Sequence, residues 1–593
     1  SSGYLVSLSS SGSLTLIEQT LGETVKGTIT FKVTDLGYDS ELANVEFCIC
    51  TDPLYKHQWH LENTGQKNFA DTNNGNQDDL NIKRKISDID NFDDGIRGRG
   101  VVIAVIDDGI EINHEDLKNN VLPNLSYNFL DGSNDPTSSS TEGSHGNAIA
   151  GIISAEGWND IGVRGVAPSS KVVGWNLLKD NNTANEAYAL GAGNALILEA
   201  DVDIFNLSYG PSLPVSNVSF DTDINSTVEN ALLNGVTNLR GLKGAIYVRA
   251  GGNDWRYFDD SDSNGIADRI IYCGPNYGTE AYTDLMPCDD SARESTQALP
   301  YLITVGSLDN ESHRSVFSTP GANLWISGFG GNYGASSSYT GESETWGSDN
   351  NKSAIMTIDD MGCSKGYVKS DTTPNNSFED RGNHSENTDC SYTSTFNGTS
   401  AAAPTVVGVI ALMLEANPNL TWRDVKHILA TTARDPAIEV PDKIISGVTQ
   451  YSTVTNAAGH KFHPWTGFGR IDGDAAIEAA LTYTADSLGT FVSDFNTSNT
   501  INLNLPSAST VSDTLSINPI GGTNGKVEFV RLGISLNHAR PYDVGMRLES
   551  PSGTIMNALI PFTAVEVNPA GSVFEIGLSG FYEENMAGDW KLY

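Results

Sequence analysis

Short apolar runs alternate with longer helix-like stretches between about residues 101 and 481, and this alternation limits the possible folds more than any other feature. Residues 101–106 and 245–248 are apolar runs of strand length, whereas 183–199 and 225–235 are helix-like. Fully buried strands that alternate with helices are typical of a parallel sheet covered by helices. We therefore predict an α/β domain built on a parallel sheet.

Two further helices are predicted near the end of this domain. Residues 401–416 are apolar on all sides, which is typical of a helix that passes through a core. The segment 421–434 begins with Thr421 as a candidate N-cap, and Asp424 lies three residues later, an acidic variant of the capping box.

The two ends of the chain have the period-two pattern of β-strands instead. Residues 1–50 contain runs such as 13–17 and 28–33, in which apolar and polar residues alternate. After about residue 490, short strands separated by Gly- and Ser-rich turns predict a β-sandwich or jelly roll. We predict three units: a β extension at 1–50, the α/β domain at 51–481, and an all-β domain at 482–593.

The chain is strongly acidic. Its 593 residues include 35 Lys and Arg against 74 Asp and Glu, a net charge of −39, and 38% are hydrophobic. That apolar content excludes a wholly disordered chain, and the charge disfavours nucleic acids while it favours cationic peptides and divalent cations. The apolar stretch 401–414 is interrupted by Pro404 and is shorter than a membrane span, so we expect no transmembrane segment.

Six cysteines are sparse for this length and lack the paired spacing of a zinc site. Disulfides between Cys273 and Cys288 and between Cys363 and Cys390 would each close a local loop in an oxidising compartment. Cys48 and Cys50 are too close for an unstrained ring, so they are either free or paired elsewhere. Reduced, buried cysteines throughout are the alternative.

Three polar segments occur beside these predicted elements. Asp107 follows the strand 101–106, His145 lies near the start of a helix of small residues, and Ser400 starts the buried helix. Each alone is compatible with a structural role, as a strand-end turn, a structural histidine or an N-cap serine. Together they occur in the order Asp, His, Ser, which is the order of the subtilisin triad.

The residues around this triad resemble the signature blocks of the subtilisin superfamily. These blocks are Val105-Ile106-Asp107-Asp108-Gly109, His145-Gly146-Asn147-Ala148-Ile149-Ala150-Gly151 and Gly398-Thr399-Ser400-Ala401-Ala402-Ala403-Pro404. The resemblance implies that Ser400 attacks the scissile carbonyl, His145 transfers the proton and Asp107 holds the imidazolium. Asn253, directly after a predicted strand, resembles the asparagine of the oxyanion hole.

Within the superfamily the chain resembles the kexin and furin group, the proprotein convertases, particularly the bacterial members. The resemblance covers about residues 51–593 and includes a C-terminal P domain, recognised from the segments 540–554 and 583–590. The last strand of such a domain is usually followed by another, so we expect this P domain to be truncated. The group implies cleavage after basic residues, preferably dibasic, in proteins and peptides.

The same resemblance suggests where a basic side chain of the substrate binds. Asp108 and Glu142 are the candidates for the residue one position upstream of the cleaved one. Ser208 and Gly210 belong to the segment that forms the primary pocket. Asp289, Asp290 or Glu294 would supply its charge, because Leu213 lies where kexins carry an acid.

Two segments are predicted to bind Ca²⁺. One has oxygen-bearing residues at the alternate positions of an EF-hand-type loop, with Gly265 at the sharp turn, and its candidate ligands are Asp260, Asp262, Asn264, Ile266 and Asp268. The other is implied by the kexin resemblance and consists of Asp52, Asp116 and Asn159 with nearby backbone carbonyls.

We therefore expect a secreted bacterial, calcium-dependent serine endoprotease that is monomeric. A broad-specificity degradative subtilisin is one alternative, favoured if the basic-residue pockets are empty. A calcium-dependent binding protein on an inactive protease scaffold is another. The intact set of Asp107, His145, Asn253 and Ser400 disfavours that last reading.

Overall fold

The computed structural model of this chain describes residues 51–71, 78–82, 95–138, 145–210, 226–255, 289–340, 351–369, 373–436, 448–493, 509–519, 525–536, 544–561 and 573–593. It also describes the backbone of several strands outside these ranges, in residues 1–50, 257–259, 269–271 and 444–445.

The first fifty residues contain strands that pair antiparallel. These strands are β1 (Leu5–Leu8), β2 (Leu14–Ile17), β3 (Val25–Phe31), β4 (Thr34–Asp35), β5 (Tyr38–Asp39) and β6 (Ala43–Ile49). β1 pairs with β2, β3 with β6, and β4 with β5. Whether this segment is a separate unit stays a prediction.

A six-stranded sheet forms the centre of the protein. The strands from residue 101 to 400 are β7 (Val102–Ile106), β8 (Lys171–Trp175), β9 (Ile204–Leu207), β10 (Ile246–Ala250), β11 (Tyr257–Asp259), β12 (Arg269–Ile271), β13 (Leu302–Leu308), β14 (Ile326–Phe329), β15 (Ile355–Ile358) and β16 (Tyr392–Phe396). The sheet has the order β14-β13-β10-β9-β7-β8, and every neighbouring pair is parallel. The predicted parallel α/β sheet is therefore confirmed.

Helices flank this sheet. They are α1 (His145–Ser154), α2 (Thr183–Ala189), α3 (Ala195–Ala200), α4 (Ser226–Asn238), α5 (Ser337–Thr340), α6 (Thr399–Ala416), α7 (Trp422–Thr432) and α8 (Gly473–Thr482). The single helix predicted at 183–199 is two helices, because Gly191 and Gly193 adopt positive φ angles and Asn194 caps α3. The predicted capping box of Thr421 and Asp424 starts α7.

Helix α6 crosses the core and carries Ser400 in its first turn. It packs against β9, β10, β13 and β14 of the sheet and against α1. Among the described residues it is the one helix long and apolar enough to span a membrane, but 89% of that window is buried inside the protein. A helix apolar on all sides is accounted for by such a core position.

Strands β15 and β16 form an antiparallel pair beside α1. A disulfide joins Cys363 to Cys390 and closes the loop between the two strands, as predicted for that pair. Cys273 and Cys288 lie outside the described residues, and so do the side chains of Cys48 and Cys50.

The C-terminal β region is the name used below for the described residues between 509 and 593. Short strands precede it: β17 (Ile444–Ile445), β18 (Val448–Thr449), β19 (Val454–Thr455) and β20 (Lys461–Phe462). Its own strands are β21 (Asp513–Ile517), β22 (Val530–Ser535), β23 (Met546–Glu549), β24 (Ile555–Leu559), β25 (Val573–Leu578) and β26 (Gly588–Leu592). They form a four-stranded sheet, β21-β26-β23-β24, and a pair, β22-β25, all antiparallel.

Candidate active site

Three predicted site segments meet at one edge of the parallel sheet. Asp107 follows β7, Ser208 follows β9, and Asn253 lies three residues beyond β10. These strands are neighbours, and parallel strands all end at the same edge. Open α/β folds place their sites in the crevice outside the carboxyl ends of the strands.

Asp107 and His145 form a hydrogen-bonded pair at this edge. Asp107 Oδ1 lies 2.9 Å from His145 Nδ1, and the carboxyl group is fully buried. The His145 side chain is 30% exposed, so the imidazole lies between the buried carboxylate and solvent. Burial lowers the pKa of His145, but the carboxylates of Asp107 and Asp108 outweigh it and raise the pKa above the ordinary histidine value.

The start of α1 approaches the end of β7 unusually closely. A Cβ atom at Gly146 would lie 2.3 Å from the Gly109 carbonyl oxygen and 2.9 Å from Asp107 Cβ, so only glycine fits there. Asp108 fixes the same junction, because its carboxylate accepts from the amides of Gly146 at 2.8 Å and His145 at 3.3 Å. The carboxylate predicted for substrate binding therefore also caps α1.

Ser400 is joined to Ser208 by two hydrogen bonds. Ser400 Oγ donates to the Ser208 carbonyl at 3.2 Å, and Ser208 Oγ donates to the Ser400 carbonyl at 3.1 Å. The second bond exists because Pro404 has no N–H for the carbonyl four residues earlier. The Ser400 hydroxyl is therefore bonded to the Ser208 carbonyl in this structure.

Asn253 is held against the loop that leads into α6. Its Oδ1 accepts from the Thr399 amide at 2.8 Å and from Thr399 Oγ1 at 3.0 Å. Its Nδ2 lies beside Gly398, and the residue is exposed at the cleft. The amide therefore presents an N–H donor next to Ser400, which is the chemistry that an oxyanion requires.

His145 also contacts the strand that leads into this loop. Its ring packs edge-on against Phe396, with centroids 5.3 Å apart, and Phe396 ends β16 just before the loop of Ser400. Carboxylate, imidazole, hydroxyl and amide thus converge on one cleft. Residues 98–469 match the family model described as Peptidase S8, the subtilase family. The chain is a subtilase.

The subtilase family consists of serine proteases, and relatives cover nearly the whole chain. The extracellular serine protease of Aeromonas sobria is 30% identical over 94% of this chain and 86% of its own length. Its crystal structure superposes with a TM-score of 0.74, covering 92% of this chain and 88% of that one. Kexin of Saccharomyces cerevisiae and human furin are 27% and 26% identical over 91% of this chain. This chain spans only about half of the length of kexin and of furin.

One wall of the cleft in this subtilase is the segment from Ser208 to Gly210, and Glu294 lies behind it. A Cβ atom at Gly210 would lie 3.6 Å from Glu294 Oε2. The other oxygen of that carboxylate, Oε1, accepts from Arg249 Nη2 and from Thr296 Oγ1. Burial alone would raise the pKa of Glu294, but Arg249 lowers it below its ordinary value. The carboxylate is therefore ionised, and the guanidinium of Arg249 offsets its charge.

Glu186 adds a second carboxylate to this wall. Its Oε1 accepts from the hydroxyl of Tyr209 at 3.3 Å, and Arg249 stacks over the ring of Tyr209 at 5.1 Å. Burial raises the pKa of Glu186, and Arg249 opposes this. Sequence reasoning missed Glu186 and Arg249, although a charged residue within the apolar strand β10 was a usable signal.

Asp289 and Asp290 are both buried and belong to the segment below Glu294. Asp290 caps the 3₁₀ helix Ser291–Arg293, accepting from the Ala292 amide at 2.9 Å, and Asp289 Oδ1 accepts from the Asp290 amide at 2.8 Å. The carboxylate beside the wall is therefore that of Glu294. Glu142 lies outside the described residues.

The structure brings the predicted calcium ligands Asp52, Asp116 and Asn159 together. Asn159 Nδ2 donates to Asp116 Oδ1 at 2.7 Å, and the Asn159 amide donates to Asp52 Oδ1 at 3.1 Å. Both carboxylates are buried, and burial raises the pKa of Asp116 to about 9. Arg164, which sequence reasoning did not include, donates from Nε to Asp52 Oδ2 at 2.6 Å.

The EF-hand-type loop connects two paired strands. β11 and β12 are antiparallel, with Asp259 opposite Arg269, so the two ends of the loop lie side by side. Its predicted ligands Asp260, Asp262, Asn264, Ile266 and Asp268 lie outside the described residues.

A further group of potential ligands lies after β13, where Asp309, Glu311 and His313 converge. Lys352 already occupies this cluster, because its Nζ lies 3.1 Å from Asp309 Oδ2 and 2.9 Å from Glu311 Oε2. The ammonium supplies the positive charge that a metal ion would otherwise bring, so we interpret the cluster as an ion-pair network.

Proposed function

We propose that this subtilase is a secreted, calcium-dependent endoprotease in which Ser400, His145 and Asp107 form the catalytic triad. The observation that carries the proposal is the Asp107–His145 hydrogen bond at the edge of the parallel sheet, with His145 packed against Phe396, four residues before Ser400. In this mechanism His145 takes the proton of Ser400 Oγ as the hydroxyl attacks the scissile carbonyl, and then protonates the leaving amine. Asn253 and the Ser400 amide donate to the oxyanion.

The substrates we propose are proteins and peptides cleaved after basic residues, preferably dibasic. The net charge of −39 supports cationic substrates, and kexin and furin are relatives. Two carboxyl groups, those of Glu294 and Glu186, lie near the single arginine Arg249, so acidic groups outnumber basic ones in this wall. Asp108 and Glu142 are proposed to hold the residue upstream of the cleaved one.

The ion pair between Arg249 and Glu294 favours the second candidate function, that of a broad-specificity subtilase. Since Arg249 neutralises Glu294, the wall at Gly210 offers less negative charge than an unpaired carboxylate would. Under this alternative, apolar residues are accepted nearly as well as arginine.

Calcium is proposed to bind at Asp52, Asp116 and Asn159 and at the loop between β11 and β12. Carboxylate and amide oxygens are the donors that calcium prefers, and both carboxylates here are buried, so the residues of the first site fit the ion. Its role there is structural, since it would offset the charges of two buried carboxylates and tie the segment 156–163 to them. Arg164 offsets part of the charge on Asp52 in either case.

The remaining proposals concern organisation and location. We propose a P domain of jelly-roll type at 482–593, a catalytic domain at 51–481 and an N-terminal extension at 1–50. The antiparallel sheets of the C-terminal β region support the first of these. Secretion is supported by the relative that is named an extracellular protease and by the Cys363–Cys390 disulfide.

Paired fluorogenic peptides test the proposal. One ends in Lys-Arg and its match in Lys-Leu, each is assayed with and without a chelator, and Ser400→Ala serves as the blank. Chelator-sensitive turnover restricted to the Lys-Arg peptide is the expected result. Equal turnover of both peptides would support the broad-specificity alternative, and turnover equal to that of the blank would refute the proposed triad.

A further inference from the structure

The C-terminal β region packs directly beneath the cleft wall. Its strand β25 lies against the 3₁₀ helices Ser291–Arg293 and Ser295–Ala298, which lie on either side of Glu294 in the sequence. The approach is close, since a Cβ atom at Gly577 would lie 3.0 Å from the Cα of Ala298. A shift of this strand would therefore move the helices that support the wall.

Buried hydrogen bonds continue from β25 toward the cleft. Ser579, just after the strand, donates from Oγ to the Asn323 carbonyl at 3.0 Å and from its amide to the Ala322 carbonyl at 2.9 Å. Asn323 Nδ2 lies 3.3 Å from Gln297 Oε1 and 3.3 Å from the Ser291 carbonyl. All three polar side chains are at least 94% buried, so each bond is shielded from water.

The last bond reaches the carboxylate at the wall. Gln297 Nε2 donates to Glu294 Oε2 at 3.1 Å, and this is the oxygen that faces Gly210. Arg249 and Thr296 hold the opposite oxygen, Oε1. Gln297 therefore keeps one oxygen at the wall, and without it the carboxylate is free to turn both oxygens toward the guanidinium.

We propose that Gln297 and Asn323 are positioning residues through which the C-terminal β region sets the selectivity of the cleft. They fix Glu294 Oε2 behind Gly210, where it favours a basic side chain at the cleaved residue. The inference rests on the proposed function, because it assigns the wall at Gly210 to the primary pocket.

We call the hydrogen-bonded chain from Ser579 through Asn323 and Gln297 to Glu294 the relay. Gln297→Leu in the full chain tests it, because leucine fills a similar volume and cannot donate to Glu294. The readout is the ratio of kcat/KM for the Lys-Arg peptide to kcat/KM for the Lys-Leu peptide. We expect the ratio to fall about tenfold, as for a lost hydrogen bond to a charged group. Ser579→Ala, at the far end of the relay, should lower the ratio less and gives the same readout if Gln297→Leu does not fold.

Asn456→Ala is the matched control, since Asn456 Nδ2 joins the same two parts of the chain at the carbonyls of Gly580 and Tyr582. It should lower the thermal midpoint while leaving the ratio unchanged. An unchanged ratio in folded Gln297→Leu would overturn the relay, and so would an equal fall of the ratio in Asn456→Ala. A wild-type ratio near one would instead contradict the proposed basic specificity. In that case a ratio that differs between Gln297→Leu and wild type would still support the relay, and an unchanged ratio would refute it.

Discussion

Ser208 and Ser400 exchange two hydrogen bonds, each side-chain hydroxyl donating to the backbone carbonyl of the other residue. Pro404 makes this exchange possible, since it leaves the Ser400 carbonyl without its helical partner. The same pair joins the cleft wall to the predicted nucleophile.

Ser208→Ala should cost both stability and turnover. The variant leaves the Ser400 carbonyl without a partner, and it removes the acceptor of Asn206 Nδ2, which lies 2.9 Å from Ser208 Oγ. We expect the free energy of unfolding to fall by about 1–3 kcal/mol, the cost of an unsatisfied buried group. Denaturant titration and kcat measure the two effects. Ser170→Ala, a buried serine paired with Ser154, should lower stability alone, and an equal loss of kcat there would contradict this explanation.

Asn253→Asp should lower kcat by about 10²–10³ with little change in KM, because it removes the proposed oxyanion donor. The substituted carboxylate keeps an acceptor for the Thr399 amide, so the loop should retain its position. Steady-state kinetics on the Lys-Arg peptide give both constants. A rise in KM at constant kcat would assign Asn253 to substrate binding instead.

Asp108→Asn should move the acidic limb of the kcat/KM profile to lower pH. The negative charge of Asp108 helps to raise the pKa of His145, and the imidazole must be neutral to accept a proton. Removing the charge lowers that pKa, so activity persists further into acid. Asparagine retains an oxygen for the Gly146 amide, and an unchanged limb would show that Asp108 acts only as a helix cap.

Calcium should raise the thermal midpoint, and Asp116→Asn should reduce that effect. At a calcium concentration about 100 times the Kd, binding to the folded chain adds about 2.7 kcal/mol of stability. Midpoints measured with calcium and with a chelator give the difference for each variant. Asp131→Asn, an exposed aspartate, is the control, and an equal response in wild type and Asp116→Asn would exclude this site.

Gly146→Ala should greatly reduce activity, because the added methyl group would overlap the Gly109 carbonyl and displace α1 from Asp107. Gly533→Ala in β22 meets only ordinary contacts, the nearest at 3.5 Å, and should leave kcat unchanged. The measurements are kcat and the thermal midpoint of both variants, which separate a loss of activity from a loss of folding. Full activity in Gly146→Ala would show that α1 adjusts freely.

The sequence was most informative where chemistry is local. Asp107, His145 and Ser400 lie in short motifs at element boundaries, and the resemblance of these motifs to the subtilisin blocks grouped them before the fold was considered. The capping box of α7 and the Cys363–Cys390 disulfide were predictable because their partners are near in sequence.

Long-range charge pairing was not predictable in this way. Arg249 and Glu294 are 45 residues apart, and Arg164 and Asp52 are 112 apart, so only the folded chain brings them together. Both arginines change how a predicted acidic residue is used. The composition indicated an excess of carboxylates without indicating which of them a cation already neutralises.

The contact between Ser579 and Asn323 also bears on the order of folding. It joins residues 256 positions apart, and contacts of such separation carry a large loop-closure cost. Asp107 and His145 are only 38 residues apart, so their pairing does not wait for β25. Ser400, however, lies 255 positions beyond His145, so the proposed triad also closes only through a contact of that large separation. If the proposals above hold, a newly made chain would gain neither hydrolysis nor discrimination before most of its length has folded.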